Sequence, residues 1–373
     1  MRGQDMTALL PSGYRDRLPP HADAQAGLEA RVLGVARSYG YERADPPLVE
    51  FADALGTRLK AGGLRDAVRF VDPVSQRTLA VRPDLTAQVA RIAATRMGHH
   101  PRPVRLSYAG PVLRLRAPEL APARERRQMG CELIGLDTVA AASEIVAVAA
   151  EALAAAGAQG VSIDFTLPDL VDTLAAGPLP VAPDHVAALK DRLDAKDAGG
   201  VAAIEPAYLP LIEAAGPFSA ALERLRAFDT AGALASRLDG LERIAAALGD
   251  VQLTLDPTER HGFEYQSWLG FSLFVVGASA EVGRGGAYTI VHEDGAEEAA
   301  VGFSLFADAL VAEAAPDRRR LFLPLGTSAA EGAQLRSEGW VTVAALAAGD
   351  TPEAQLCTHV WAAGEPRPIL SGL

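Results

Sequence analysis

Up to about residue 167, the apolar positions of the chain alternate between helix-like and strand-like spacing. Leu28, Val32 and Val35 recur at helical spacing, so residues 21–39 predict an amphipathic helix that Gly40 ends. Shorter apolar runs bounded by Gly, Pro and Asp predict strands instead. On these grounds we predict further helices over 84–97 and 138–156, a hairpin over 69–81, two short strands over 102–116 that break near Gly110-Pro111, and single strands over 128–135 and 161–167.

The pattern changes between residues 168 and 249, where strand signals fade and alanine, leucine and charged residues predominate. We interpret this segment as a helical insertion. Strand patterns return at 251–255 and run through 263–290, whereas residues 301–314 predict a helix. Strands on both sides of an insertion imply one sheet, and the hairpin signals imply that it is mostly antiparallel. The tail from residue 318 predicts a small α/β unit with strands over 321–325, 340–344 and 359–362.

The composition of the 373 residues narrows the class of protein. Hydrophobic residues make up 49% and charged residues 22%, a balance that supplies an ordinary folded core, and the length suggests two or three domains. The net charge of −12 argues against a dedicated nucleic-acid binder and against an anionic membrane surface as partner, because both would favour a basic surplus.

Cysteine usage and the lack of targeting patterns predict a location. Cys131 and Cys357 lie far apart and match neither a zinc spacing nor a disulfide framework, which fits a reducing compartment. The N-terminus lacks a secretory pattern, and the apolar stretch 145–158 is interrupted by Glu151 and is too short to span a membrane. We therefore expect a soluble cytoplasmic protein, with neither a metal site nor a bound cofactor.

Three stretches carry motifs that are informative together. The first is Arg82-Pro83-Asp84-Leu85-Thr86, the second is Arg124 to Glu132 with the pattern Arg-Glu-x-x-Gln-x-Gly-x-Glu, and the third is Gly262-Phe263-Glu264-Tyr265. In order and spacing they resemble the class II histidyl-tRNA synthetases, and the similarity extends roughly from Leu10 to Ala314. The first motif is more similar to the Arg-Pro-Asp-Leu-Thr form of a regulatory paralogue, the regulatory subunit of ATP phosphoribosyltransferase.

This resemblance implies an α+β fold, in which a mostly antiparallel sheet is flanked by helices as in class II aminoacyl-tRNA synthetases. It implies a catalytic-core domain over residues 1–316 that includes the helical insertion at about 168–249. Residues 317–373 would then form the small C-terminal α/β unit.

Several residues that the resemblance requires for ATP chemistry are replaced. His261 stands where the family has its catalytic arginine, and Ala309 stands where motif 3 has the arginine that packs on adenine. Arg116 occupies the place of a glutamate in motif 2. Each lost charge-assisted contact costs about 1.5–3 kcal/mol. We therefore predict that aminoacylation is lost and that the chain has no catalytic residue.

The amino-acid site of the family is better preserved. Carboxylates suit an ammonium group, and an acceptor suits the N–H of an imidazole, so the acidic and amide residues of the first two motifs fit histidine. Gln266 replaces the second tyrosine of the family. The resemblance assigns histidine binding to Asp84, Thr86, Arg114, Gln128, Glu132, Tyr265 and Tyr288.

Simpler roles for these residues stay open at the level of sequence. Asp84 could add negative charge to the first turn of a helix. Gln128 and Glu132 could be solvated polar residues of a strand. A solvated basic face, or a patch that binds RNA or phosphate, could explain Arg114, Arg124, Arg126 and Arg127.

The resemblance implies a regulatory protein. It would bind the short catalytic form of ATP phosphoribosyltransferase in a hetero-octamer built around a self-dimer of this chain. It would also transmit feedback inhibition by L-histidine, as effector, in the first step of histidine biosynthesis. A true histidyl-tRNA synthetase is the alternative, although it would need the missing arginines and a larger tail. Another histidine-sensing paralogue, which regulates a different enzyme, is the third possibility.

Overall fold

The structure is a computed structural model, and it describes residues 10–56, 67–116, 122–260, 266–306, 308, 310 and 319–369. The chain divides into two compact units, Met1–Val311 and Ala312–Leu373. In chain order, the described elements of the first unit are α1 (His21–Ser38), β1 (Glu42–Arg43), β2 (Val49–Phe51), α2 (Ala52–Gly56), β3 (Arg69–Val71), β4 (Thr78–Val81), α3 (Thr86–Thr95), β5 (Val104–Leu113), β6 (Glu125–Ile134), α4 (Val139–Ala156), β7 (Ser162–Thr166), α5 (Leu170–Ala175), α6 (Pro183–Asp194), α7 (Ala198–Ile204), α8 (Pro210–Glu213), β8 (Gly216–Pro217), α9 (Phe218–Phe228), α10 (Ala235–Ala246), β9 (Gln252–Leu255), β10 (Gln266–Phe274), β11 (Gly283–Val291) and β12 (Glu297–Phe306).

A large sheet forms the centre of the first unit. In the part of the chain that the structure describes, it has nine strands in the order β1-β5-β6-β12-β11-β10-β7-β9-β8. Neighbouring strands run antiparallel except for the pairs β1–β5 and β7–β9. The predicted α+β class with a mostly antiparallel sheet is confirmed. Helices α5 to α10 lie between β7 and β9, in the segment predicted as a helical insertion. A smaller sheet of order β2-β4-β3 contains the predicted hairpin.

The central strands β5, β6 and β12 are largely buried on both faces. On β6, Met129, Cys131 and Leu133 join the main apolar core together with residues of α1 and α4. The opposite face packs against α3, where Val89 belongs to a second apolar cluster with Tyr108 of β5. This packing holds the beginning of α3 over β5 and β6, which places the first sequence motif beside the second.

Helix α4 has a capping residue at each end. The Thr138 hydroxyl accepts a hydrogen bond from the Ala141 N–H (3.2 Å), and Gly157 ends the helix with φ +90°. Among the described helices, α4 is the one that is long and apolar enough to cross a membrane by length and composition. Ile145 and Leu153 lie fully buried in the main core, so packing inside the unit accounts for the apolar composition.

Two strand assignments in the central sheet differ from the sequence predictions. Residues 301–314 were predicted as a helix, but β12 is a strand through Phe306 because its side chains are buried on both faces and show no polar alternation. Residues 102–116 form one strand up to Leu113, not two broken at Pro111. The Leu113 N–H points away from β6 and donates to the Arg82 carbonyl. The backbone nitrogen of Pro111, two residues earlier, points in the same direction, so the missing N–H of proline removes no hydrogen bond between β5 and β6.

The second unit is a small α/β unit. Its described elements are β13 (Arg320–Leu323), α11 (Ala329–Ser337), β14 (Val341–Ala344), β15 (His359–Ala362) and β16 (Glu365–Pro368). The strands form a sheet of order β14-β13-β15-β16. Strand β16 was not predicted because Pro366 and Pro368 suggest a loop, but a position at the sheet edge tolerates proline.

Candidate functional site

A row of polar side chains lies on the face of the sheet that α3 covers. Because side chains alternate along a strand, Arg126, Gln128 and Glu132 of β6 project from this face, opposite the core residues of the same strand. On β12, Phe306 pairs with Gln128, and Ser304 lies two residues earlier on the same face. The ladder therefore brings side chains from the second motif and from β12 together.

Two glycines make room for this row. Gly130 of β6 and Gly302 of β12 lie among the polar residues, and neither position has space for a Cβ atom. A Cβ at Gly130 would collide with the Tyr108 hydroxyl, and a Cβ at Gly302 would collide with the Glu132 carboxylate. Glycine is thus required where these two side chains cross the backbone of a neighbouring strand.

Glu132 is the most deeply placed acid of the site, and its side chain is held by two phenols. It is 1% exposed, and it accepts hydrogen bonds from the hydroxyls of Tyr108 (2.9 Å) and Tyr288 (2.8 Å). Burial raises the pKa of Glu132 to about 8, although the hydrogen bonds from both tyrosines act in the opposite direction. Burial and the neighbouring Glu132 also raise the pKa of Tyr108 well above its usual range.

The Tyr108 hydroxyl joins Glu132 to the first motif. It lies 3.0 Å from the Thr86 hydroxyl and 3.0 Å from the Ser304 hydroxyl. Ser304 in turn accepts a hydrogen bond from the Gln128 amide at 2.7 Å. The buried hydroxyls therefore connect the acid on β6 with the beginning of α3 and with β12.

Asp84 and Gln128 form the second part of the network. The Gln128 Nε2 donates to the Asp84 carboxylate (3.0 Å), and the Gln128 Oε1 accepts from the Leu85 N–H (2.9 Å). The other Asp84 oxygen accepts from the Thr86 N–H at 2.7 Å. Asp84 thus holds the beginning of α3 and also presents a carboxylate to the site.

Arg82 supports this arrangement from behind. Its guanidinium is 3% exposed and donates to the carbonyls of Pro46 (2.7 Å) and Pro111 (2.7 Å). Burial lowers the pKa of Arg82, with Asp45 acting in the opposite direction. Both acceptors are backbone carbonyls, and Pro111 belongs to β5. Arg82 therefore attaches the loop that precedes α3 to strand β5.

The beginning of β6 is the basic end of the site. Arg127 pairs with Glu29 (2.8 Å), and Arg17 pairs with Asp308 (2.7 Å) at the end of β12. The guanidinium of Arg126 lies over the ring of Phe306, with its Cζ 3.7 Å from the ring centroid. The site therefore has acceptor groups at one end and guanidinium groups at the other.

Comparison with known proteins identifies the family of the chain. Residues 13–310 match the histidyl-tRNA synthetase family. The chain is 43% identical to an ATP phosphoribosyltransferase regulatory subunit from Rhodospirillum centenum, over 97% of this chain and 96% of that protein. It is 41% identical to one from Paramagnetospirillum magneticum, over 94% and 95%. The chain belongs to the family of ATP phosphoribosyltransferase regulatory subunits.

Solved structures show the same fold. A protein from Bacillus halodurans described as an ATP phosphoribosyltransferase regulatory subunit/histidyl-tRNA synthetase superposes with a TM-score of 0.79 at 22% identity, covering 95% of this chain and 96% of that one. The histidyl-tRNA synthetase from Nostoc sp. PCC 7120 superposes with a TM-score of 0.76 at 16% identity, covering 95% and 90%. The regulatory-subunit family thus has the architecture of a class II synthetase.

The structure places the predicted site residues of this family member in two groups. One buried network brings together Asp84, Thr86, Gln128, Glu132 and Tyr288. Arg114 follows β5 at the basic end, where its backbone N–H donates to the Arg124 carbonyl (2.9 Å). The predictions for Tyr265, His261 and Ala309 lie outside the described residues, as does the prediction for the side chain of Gln266.

Two members of the network were missed by sequence reasoning. Tyr108 belongs to none of the motifs, and Ser304 lies in the altered motif 3 segment without an assigned role. The strand register brings them beside Glu132 and Gln128. The interpretation of Gln128 and Glu132 as solvated strand residues is wrong, because they are 0% and 1% exposed. The helix-start role of Asp84 is real and coexists with its contact to Gln128.

The chemistry of this arrangement suits a small polar molecule that carries a positive and a negative group. Hydroxyl and carboxyl oxygens at the Glu132 end can accept hydrogen bonds from the N–H groups of an ammonium or an imidazole, and guanidinium groups at the other end can bind an anion. Among the described residues, no group of three His, Cys, Asp or Glu side chains stands where it could hold a metal ion.

Proposed function

We propose that this chain is the non-catalytic regulatory subunit of ATP phosphoribosyltransferase. It activates the short catalytic subunit and transmits histidine feedback inhibition to the first step of L-histidine biosynthesis. Its membership of the family supports this, since relatives of that name cover this chain almost entirely. The observation that carries the histidine part is the buried network, which joins Asp84 and Gln128 to Glu132 and two tyrosines.

Histidine is the effector that fits the network best. The predicted contacts are those of the histidyl-tRNA synthetase family, and the described ones lie within hydrogen-bonding distance of one another. A pre-formed set of polar groups loses little conformational entropy on binding a small ligand. Inhibition through this site requires that histidine bind the inhibited state of the complex more tightly than the active state.

Loss of aminoacylation is part of the same proposal. Motif 3 of the synthetase resemblance reads Gly-x-x-x-Gly-x-Glu-Arg and aligns with residues 302–309, so Phe306 stands at its second glycine. The Phe306 side chain is 3% exposed beneath Arg126. Asp308, at the position of the motif 3 glutamate, is engaged by Arg15 (3.1 Å) and Arg17 (2.7 Å). Because the arginine that packs on adenine in the family is also replaced, by Ala309, we expect no ATP–pyrophosphate exchange with histidine.

The assembly is proposed to be a hetero-octamer around a self-dimer. Apolar side chains are exposed at the small sheet and its hairpin, where Val74 is 90% exposed and Phe70, Val71 and Leu48 are also accessible. A second copy of the chain that covers these residues would remove apolar surface from water. Cys131 and Cys357 are free thiols, which fits the cytoplasm as the location of the complex.

Reconstitution with the catalytic subunit tests the function. Phosphoribosyl-ATP formation would be measured for the short catalytic subunit alone, with this chain, and with this chain plus histidine. We expect activation by the chain and inhibition by histidine only when the chain is present. The Gln128→Ala chain should lose the inhibition by histidine, and the Arg116→Gln chain, changed at an exposed arginine, should keep it.

Several results would contradict the proposal. Absence of any effect of the chain on the catalytic subunit would refute the regulatory role, and inhibition by histidine without the chain would refute its role as sensor. Charging of tRNA by the chain alone would support the synthetase alternative, which rests on the family match over residues 13–310. Sedimentation of the chain alone and of the mixture would test the dimer and the octamer.

A further inference from the structure

We propose that Arg126, seated on Phe306, binds the carboxylate of the free amino acid in this site and so determines that the site accepts an amino acid without nucleotide. This inference rests on the proposed histidine-binding function and adds a residue that the motif resemblance does not assign. It concerns the anionic half of the ligand, whereas the buried network concerns the cationic half.

The position of Arg126 follows from the strand register. It lies on the same face of β6 as Gln128 and Glu132, and Phe306 pairs directly with Gln128 across the ladder. The Arg126 Cζ lies 3.7 Å from the centre of the Phe306 ring. The guanidinium therefore lies near the strand position of Gln128, two residues beyond the Arg126 backbone. Phe306 is 3% exposed and forms a fixed platform for that cation.

Arg126 and Arg114 differ from Arg127 and Arg17 in having no anionic partner among the described residues. Arg127 is paired with Glu29, and Arg17 with Asp308, whereas neither Arg126 nor Arg114 makes a side-chain hydrogen bond or ion pair with the described residues. Burial and the like charge of Arg114 lower the pKa of Arg126, with Asp308 acting in the opposite direction. A half-buried guanidinium without an acceptor is unfavourable, and an anionic oxygen group of a ligand would satisfy it.

The charge order along the face points to a zwitterion. The Glu132 carboxyl group lies at one end, the Asp84 carboxylate contacts Gln128 in the middle of the row, and the guanidinium of Arg126 lies at the other end. An amino acid bound along the face would direct its ammonium group and side chain to the acids and its carboxylate to Arg126.

A carboxylate fits the basic end better than a nucleotide phosphate does. Asp308 lies close enough to Arg126 to influence its ionisation, so a multiply charged phosphate would be repelled by a neighbouring carboxylate. The side chain of Phe306 also fills space that a glycine at this motif position would leave open. An amino acid carboxylate carries a single negative charge and is smaller than a phosphate. It is therefore repelled less by Asp308 and needs less space beside Phe306.

Calorimetry with two ligands tests the proposal on the full-length chain. Histamine has the imidazole and the ammonium of histidine but lacks the carboxylate, so the ratio of the two affinities reports the anionic contact alone. We expect the wild-type chain to bind histidine at least tenfold more tightly than histamine. Arg126→Gln should weaken histidine binding about tenfold or more and leave histamine binding unchanged. Arg126→Lys, which keeps the charge but not the planar fork, should give an intermediate loss.

Arg116→Gln is the matched control, because Arg116 is an exposed arginine of the same basic segment and should have no effect on either ligand. Equal weakening of histidine and histamine by Arg126→Gln, or no weakening of either, would overturn the assignment of the carboxylate. Competition of AMP or inorganic phosphate with histidine that disappears in Arg126→Gln would assign the residue to phosphate instead. A wild-type chain that binds neither histidine nor histamine would reject the proposed histidine site itself.

Discussion

Glu132 is a carboxyl group that the fold removes from water and surrounds with hydroxyls. Two effects oppose each other at this residue: burial favours the neutral acid, and hydrogen bonds from Tyr108 and Tyr288 favour the carboxylate. Burial predominates, and it raises the pKa from 4.5 to about 8. The group therefore takes up a proton on folding at neutral pH.

The pH dependence of stability follows from the direction of this pKa change. A group whose pKa is higher in the folded state contributes stability that is fully present below the unfolded pKa, near 4.5, and is lost as the pH rises towards 8. The Gln side chain in Glu132→Gln cannot ionise, so the variant does not share the loss of stability that wild type undergoes as the pH rises. The free energy of unfolding of the variant minus that of wild type should therefore increase between pH 5 and pH 8. The increase should be a few kcal/mol at most, since one pKa unit corresponds to about 1.4 kcal/mol. Denaturant titrations at several pH values measure this.

Glu144→Gln provides a control with the opposite sign. Arg105 lowers the pKa of Glu144 through a hydrogen bond, despite partial burial, so its contribution is present above the unfolded pKa and is lost as the pH falls through the folded value. The loss of stability in Glu144→Gln should thus shrink in acid. If the Glu132→Gln and wild-type stabilities kept a constant difference from pH 5 to pH 8, the proposed burial of a protonated Glu132 would be wrong.

At the scale of elements, the site depends on how closely β6 and β12 can pair. Gly302 lies opposite Glu132 in the ladder, and the Glu132 carboxylate occupies the space that a Cβ at Gly302 would need. Gly302→Ala should therefore displace Glu132 or spread the two strands, at a cost of about 1–3 kcal/mol as for other overpacked sites. It should also weaken histidine binding. Thermal unfolding and calorimetry measure the two effects.

Gly34→Ala is the matched control for this substitution. Gly34 lies inside α1, and a Cβ there would meet open space. Alanine favours a helix interior over glycine, so this variant should gain about 0.5–1 kcal/mol of stability. Should Gly302→Ala be as stable as wild type and bind histidine equally well, the close approach of Glu132 to β12 would not matter for the site.

At the scale of the whole molecule, the site joins segments that are far apart in the chain. The loop before α3 contributes Asp84, and the strands β6, β11 and β12 contribute Gln128, Tyr288 and Ser304 respectively. A ligand that contacts all four residues would couple these segments. A ligand that binds only the folded state stabilises it according to its concentration relative to Kd.

Histidine should accordingly raise the Tm of the chain. At a ligand concentration of 100 times Kd, the added free energy of unfolding is about 2.7 kcal/mol. The shift should increase with the logarithm of the histidine concentration and be much smaller in Gln128→Ala, whose amide connects Asp84 with Ser304. Differential scanning fluorimetry with histidine, and with leucine as a control for non-specific effects, measures this. Equal shifts with both amino acids would contradict selective binding.

The local patterns of the sequence were sufficient for elements whose signals lie within the element itself. The spacing of apolar residues predicted α1, the cap residues Thr138 and Gly157 mark the ends of α4, and the turn residues predicted the hairpin of β3 and β4. The motif resemblance likewise predicted the class of fold, and it named Asp84, Gln128 and Glu132, which the structure brings into one hydrogen-bond network. Each of these inferences depends on neighbours along the chain.

What only the tertiary structure decided depends on pairing between distant segments. Strand β12 was predicted as a helix because a run buried on both faces has no polar alternation, and its neighbours β6 and β11 determine its conformation. Tyr108 and Ser304 enter the site through strand register, and Arg126 acquires its place over Phe306 in the same way. Register and burial are properties of the assembled sheet, so no local pattern could have assigned these residues.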